Sequence, residues 1–372
     1  MASRSGNCIQ CGKPYAQLRR GLCKSCAAPT VTPATSPTIT TVADDLRTQK
    51  FVRELALVKG KYTEALKTIE VQQQALTTLG YMQERNEPVV ITPHFGKGTS
   101  EATPVVVASD WHAEELVTKA QTSGLNEANP EIIERRITTF FQASLRLVKL
   151  LRVDVKMKTL VLALLGDFIT NQIHGAENAE NNAMGPTDAI VWVQNQIVGG
   201  IEFYLNNCDL DIVIICKVGN HARTTLKTRF SAENSHSLEY LLYQYLAAHF
   251  RGEKRVRFVI ESGYHTYLPV YEETLRFHHG HAVNYAGGVG GLTIPANKAI
   301  ANWNQGRKAT LDIFGHFHQR LSTRRFACNG SLIGYNGYAL SIKAEFEPPQ
   351  QSLLLFDKKR GKTCEWPILL ER

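Results

Sequence analysis

No apolar run in this 372-residue chain approaches the roughly 20 residues that a bilayer span requires, so the sequence offers no membrane helix. The N-terminus lacks the apolar core of a signal peptide, and the expected location is therefore the cytoplasm. Half of the eight cysteines (Cys208, Cys216, Cys328, Cys364) follow no disulfide-framework spacing and read as small core residues in a reducing compartment. Residues 1–28 contain no acidic side chain, and residues 27–41 contain no charge of either sign. There is no internal repeat.

What is present is a soluble composition, 43% hydrophobic and 20% charged, on a chain longer than one typical domain. The net charge of +8 favours a polyanionic partner without requiring one. Cys8-x-x-Cys11 and Cys23-x-x-Cys26 stand 11 residues apart, the pattern of a tetrahedral Cys₄ zinc site. Residues 1–28 have too few aliphatics to fold alone, so zinc would supply the folding free energy of this ribbon. Its cations Arg4, Lys13, Arg19, Arg20 and Lys24 suit a nucleic-acid backbone, although a zinc ribbon docks other proteins equally well. Residues 29–42, rich in Pro, Thr and Ser, read as a tether.

Residues 43–82 read as a helix. Phe51, Leu55, Val58, Tyr62, Ala65, Ile69 and Leu76 fall on 4-3 steps, interrupted at Gln72, the spacing of a coiled coil. Two readings are open: a homodimer through this helix, or a helix packed on its own catalytic domain. From 100 to 372 the texture becomes α/β. Strands are expected at Val105–Ala108, Leu160–Leu165, Ile212–Cys216, Phe258–Ile260, Leu275–Phe277, Leu311–Phe314, Leu332–Tyr335 and Leu353–Phe356, with helices over 130–152, 185–205 and 236–250.

Five blocks interrupt that texture: Asp110-Trp111-His112, Gly166-Asp167, Gly219-Asn220-His221, His279-Gly280-His281 and Gly315-His316-Phe317-His318. Most follow an apolar run, which puts their ligands at the C-terminal mouth of a sheet. The mix of carboxylate, amide and imidazole without thiolate suits Mn²⁺, Fe, Zn²⁺ or Ni²⁺. Two such ions held close would polarise a phosphoryl oxygen and activate water, and Asp167 is the obvious bridge.

The order D-x-H, G-D, G-N-H, H, G-H-x-H resembles the calcineurin-like metallophosphoesterase superfamily over about residues 105–320. The resemblance implies a layered α/β/β/α sandwich for the catalytic domain, and the zinc ribbon and helical linker read above would precede it. It implies a first metal on Asp110, His112, Asp167 and His318, and a second on Asp167, Asn220, His279 and His316, with manganese expected first. His221 would protonate the leaving oxygen. The superfamily commonly follows G-N-H with an acid; here Ala222 and Arg223 stand there, and Arg223 is a phosphate-binding candidate or a surface arginine. His281 is expected beside the site and His278 buried and neutral. Residues 171–188 are expected to border the pocket with His174, Glu177, Glu180 and Asn182 or to form a solvated loop, and Lys227 and Arg229 to track a backbone.

The expected function is a two-metal phosphodiesterase or nuclease acting on DNA, similar to the nuclease subunit of break-repair complexes and to phage-encoded relatives; a phage-borne chain would act in the host cytoplasm. The alternatives are hydrolysis of a small phosphoester such as a cyclic nucleotide, and a non-catalytic DNA-binding or scaffold protein.

Overall fold

The computed structural model describes residues 4–7, 14–18, 42–83, 100–153, 155–173, 180–285, 291–341 and 343–371. Cys8, Cys11, Cys23 and Cys26 lie outside them, as do most of the tether and His174 and Glu177. Two units divide the chain, Met1–Arg85 and Asn86–Arg372.

In the first unit, β1 (Arg4–Asn7) and β2 (Pro14–Leu18) pair antiparallel, with Asn7 opposite Pro14. A single helix, Val42–Gln83, follows, and every described side chain from 45 to 73 is exposed.

The second unit is mixed α/β with two sheets. The first runs β14 (Gly361–Leu369), β13 (Gln350–Asp357), β3 (Ser100–Ala108), β5 (Thr159–Leu164), β6 (Asp211–Cys216), β7 (Val256–Val259), with β4 (Val155–Lys156) beside the start of β3. Strands β3, β5, β6 and β7 are parallel, whereas β13 returns antiparallel to β3. The second sheet runs β11 (Leu321–Ser322), β12 (Phe326–Cys328), β10 (Leu311–Phe314), β9 (Glu273–Phe277), β8 (Thr266–Val270), with β9, β10 and β12 parallel.

Apolar alternation along the strands explains the layering. Val105, Val107, Val161, Ala163, Val213 and Ile215 point from the first sheet to Leu275, Phe277 and Ile313 of the second, forming an inter-sheet core. The opposite faces of the same strands, through Val106, Leu162 and Ile214, meet the helices Pro130–Leu151, Pro186–Asn207 and Leu238–His249. Phe314 and Phe326 on the second sheet's outer face pack on Ala296 and Ile300 of the helix Thr293–Trp303. The order is thus helix, sheet, sheet, helix. Asn129 caps the helix at Pro130 by accepting from the Ile132 N–H, and proline at the first turn has no amide to leave unpaired.

The expected strand Leu332–Tyr335 is an irregular segment instead. Its carbonyls are taken by side chains: Leu332 and Ile333 accept from the buried Arg136 guanidinium, and Ile333 and Tyr335 from Asn126. Strands β4, β8, β11, β12 and β14 and the helices Thr293–Trp303 and Gly337–Ser341 complete the architecture of this unit beyond the sequence expectation. No helix among the described residues is long and apolar enough to cross a membrane.

Candidate metal centre

Parallel strands β3, β5 and β6 of one sheet and β9 and β10 of the other end at the same mouth. Each delivers ligand-type side chains within a few residues of its last strand position. These turns leave regular backbone at once: Asp110, His112, Asp167, His316 and His318 all have positive φ, between 45° and 72°. Left-handed geometry at a residue with a side chain is disfavoured by about 1–3 kcal/mol, and here it turns ligands inward that strand alternation would send to opposite faces. Gly166 and Gly219 permit the closest approach. A Cβ on Gly166 would lie 2.1 Å from the Gly219 nitrogen, and one on Gly219 would lie 2.1 Å from Asp167 Oδ1.

Three ligand sets result: Asp110, His112 and His318; His112, Asp167 and His221; Asp167, His279 and His316. Within each, the ligand atoms lie within 4.8 Å of one another. Asp167 belongs to two sets and is buried. Asn220, one residue before His221, has a buried Oδ1 with no hydrogen-bond partner.

Hydrogen bonds orient the rings. Thr170 Oγ1 donates to Glu115 (3.2 Å) and so accepts from His112 Nδ1 (3.1 Å), which leaves His112 Nε2 as a lone pair facing the centre. His279 Nδ1 donates to the Leu165 carbonyl (2.7 Å), and its Nε2 lies 2.8 Å from Asp167 Oδ2. His221 Nδ1 donates to the Thr170 carbonyl (3.0 Å), while its backbone N–H donates to Asp167 Oδ1 (2.8 Å). Outer partners of this kind fix the tautomer of a metal-ligating histidine.

Burial decides the electrostatics. It pushes Asp110 up to about 7, with Asp167 adding to the rise. Burial holds His112 and His316 well below the ordinary imidazole range and brings His318 down to about 4, so these rings are neutral and ready to ligate. Burial alone would lower His279, but the Asp167 carboxylate raises it to about 10. Burial would likewise raise Asp167, yet the His279 and His221 rings hold it well below the carboxylate range. The centre thus sets one firmly ionised carboxylate, Asp167, among buried neutral imidazoles.

Do these residues fit divalent ions? His112 turns its Nε2 toward His318 Nε2, 3.1 Å away, and the buried Asn220 Oδ1 meets no hydrogen-bond partner among the described residues, so donor atoms converge that a cation would satisfy. The donor set is oxygen and imidazole nitrogen, with Asp110 and Asp167 as the anions. Cys328 is buried behind the site, with its Sγ toward the Gly315 carbonyl. The set fits borderline divalent ions such as Mn²⁺, Fe, Zn²⁺ or Ni²⁺.

The other sequence candidates are placed as follows. His281 Nε2 bonds Glu233 (2.7 Å) and stacks on Phe230 at the edge of the centre. His278 is buried, stacked on Phe314 and lowered by burial, a neutral core ring. Arg223 donates to the carbonyls of Asn220, Thr225 and Leu226, so its guanidinium braces its own loop rather than presenting a fork to phosphate. Asn182 donates to the Asn171 carbonyl.

Two supporting residues were not anticipated from sequence. Glu239 is fully buried and accepts from Phe168 N (2.8 Å) and Gly219 N (2.7 Å), tying the Asp167 loop to the Asn220 loop. Glu114, also buried, accepts from Thr170 N (2.9 Å) and Asn171 N (2.7 Å) on the other flank. Both bind backbone N–H groups of segments remote in sequence, and such partners leave no local pattern.

No family model matches the chain, and no curated protein matches it. Among solved structures, the chain is similar to a hypothetical protein from Pyrococcus horikoshii OT3, at 11% identity and TM-score 0.36, covering 73% of this chain and 89% of that one. It is also similar to Vps29 complexed with zinc from Entamoeba histolytica, at 11% identity and TM-score 0.27, covering 71% of this chain and 99% of that one. A conserved predicted phosphoesterase from Streptococcus pneumoniae TIGR4 aligns at 11% identity and TM-score 0.27, over 72% of this chain and 98% of that one. These scores are too low to place the chain in a family or to lend it an activity.

Proposed function

We propose that this chain is a dinuclear metal-dependent phosphoester hydrolase, and that its substrate is the phosphodiester backbone of a nucleic acid, DNA foremost. One observation carries the reading: Asp167 is shared between ligand sets delivered by five strand ends, the arrangement two neighbouring divalent ions require. Ions bound there would supply Lewis acidity toward a phosphoryl oxygen and a water nucleophile. Asp110, His112 and His318 would hold one ion, Asn220, His279 and His316 the other, and Asp167 both. We assign manganese as the working metal and a structural zinc to Cys8, Cys11, Cys23 and Cys26.

The protein's own groups do the rest. His221 lies within ligand reach of Asp167 and His112, but its Nδ1–H is fixed on the Thr170 carbonyl. That tautomer leaves Nε2 to hold a proton and pass it to the leaving oxygen. The flanks favour a polymeric substrate over a small one. Phe230 is 50% exposed and rests on His281; Tyr338 is 58% exposed, with its ring 6.4 Å from His318. Exposed rings on both flanks, with Lys227 and Arg229 exposed in the segment that leads to Phe230, match the way strands are held by base stacking and backbone cations.

A digestion panel tests the reading: Mn²⁺-loaded protein against single- and double-stranded DNA, RNA, cyclic nucleotides and a generic aryl phosphodiester. We expect DNA cleavage that Asp167→Asn and His221→Ala abolish. Wild-type protein that cleaves nothing, or cleavage equal in both variants, refutes the hydrolase. Turnover of cyclic nucleotides without any polymer cleavage moves the substrate to the small class.

A further inference from the structure

We infer that the helix Val42–Gln83 is a dimerisation element that joins two copies of this chain as a parallel, in-register coiled coil. The observation is an exposed seam on a long helix. Phe51, Leu55, Val58, Tyr62 and Ile69 are 50 to 71% exposed, and they recur on alternating 4-3 steps. In heptad terms Leu55, Tyr62 and Ile69 take position a, and Phe51, Val58 and Ala65 take position d. Val52 and Leu66 follow at e and widen the stripe. Arg53, Gly60 and Lys67 fall at f, on the far side, and a Cβ added to Gly60 would meet nothing within 4 Å. An interior glycine is therefore placed where it disturbs no packing.

Two arguments single out a second copy as the occupant. A lone helix gains little stability from propensity and most from burying an apolar face, and this face is exposed. The flanking charges are also self-complementary. Glu54 at g and Lys59 at e are five residues apart, the g-to-e′ offset that brings Glu54 against Lys59 of the partner subunit in a parallel pair, twice by symmetry. The consequence for function is valency. A dimer carries two basic N-terminal segments and two metal centres, which raises the effective concentration of a polymeric substrate without any new contact.

The test uses the full chain and reads mass, so it is independent of whether the metal centre hydrolyses anything. Sedimentation across a concentration series should give a dimer for wild type and a monomer for Leu55→Asp/Ile69→Asp. That variant should retain wild-type turnover of a small aryl phosphodiester, which meets one metal centre at a time, and should bind a long polymer more weakly. Glu54→Lys should weaken the dimer, and adding Lys59→Glu should restore it. Oxidised Val58→Cys protein should yield a peptide linked through residue 58 of both copies, identified by mass spectrometry, whereas Glu64→Cys on the outer face should not. A wild-type monomer at every concentration, a trimer or higher mass, or an unchanged dimer in Leu55→Asp/Ile69→Asp overturns the inference. A charge swap that fails to restore pairing, or a residue-64 link in place of the residue-58 link, overturns the parallel register.

Discussion

Asp312→Ala should be among the most destabilising single substitutions in the second unit, Asn86–Arg372. Asp312 lies on β10 directly opposite Arg276 of β9. Both side chains are fully buried and meet as a fork, Nε to Oδ1 at 2.6 Å and Nη2 to Oδ2 at 3.0 Å. His278 Nε2 stands 3.4 Å from the same carboxylate. Removing the carboxylate strands a guanidinium in the core, and breaking a buried pair from one side costs about 3–5 kcal/mol. The guanidinium keeps its place over the Trp303 ring, 5.2 Å away, and a long bond to the Arg307 carbonyl, so the lower half of that range is expected. In a unit of this size that corresponds to a fall in Tm of roughly 10 °C. The paired variant Arg276→Met/Asp312→Leu removes both charges and should recover most of the loss. Because His279 and His316 stand two residues past the ends of β9 and β10, Asp312→Ala should also weaken Mn²⁺ binding. Denaturant unfolding followed by tryptophan fluorescence, with and without Mn²⁺, measures both effects. A loss below about 1 kcal/mol for Asp312→Ala, an ordinary surface-like value, refutes the reasoning. So does a double variant no more stable than the single one.

Further outcomes follow from the same structure. Gly219→Ala would drive a methyl against Asp167, so we expect at least about 1–3 kcal/mol of destabilisation and a fall in Mn²⁺ affinity on the order of 10–100-fold. Gly199→Ala, in the helix Pro186–Asn207 with nothing within 4 Å of the new methyl, should be neutral or stabilising by up to about 1 kcal/mol. Metal binding should depend steeply on pH. His279, raised to about 10, is protonated in the ion-free protein at neutral pH and must release that proton to ligate. Affinity should therefore rise about tenfold per pH unit between 7 and 9, and more steeply below about 7, where Asp110 must also lose its proton. Titration calorimetry in buffers of different ionisation enthalpy counts those protons; a pH-independent affinity contradicts the assignment.

The blocks that converge at the strand ends were legible because side chains able to hold a metal are of few kinds, and strand ends announce themselves as apolar runs stopped by glycine. The inner strands were legible for the same reason: β5 and β6 are buried on both faces and read as continuous aliphatic runs. What escaped was set by partners distant in sequence. Leu332–Tyr335 has the composition of a buried strand, but Arg136 and Asn126 claim its carbonyls. Strand β8 carries Pro269 and β14 carries Pro367, which weaken the pattern at sheet edges. Helix Thr293–Trp303 buries only Ala296 and Ile300, too narrow a stripe to stand out. Glu239 and Glu114 bind backbone N–H groups, and no side-chain motif encodes that.

The central claim is that Asp167 joins two metal ions, and electron paramagnetic resonance of Mn²⁺-saturated protein tests it most directly. The account predicts the multiline spectrum of an exchange-coupled pair in wild type, and its collapse to isolated Mn²⁺ signals in Asp167→Asn. Isolated six-line signals from the saturated wild type, or a coupled spectrum that survives Asp167→Asn unchanged, would contradict it.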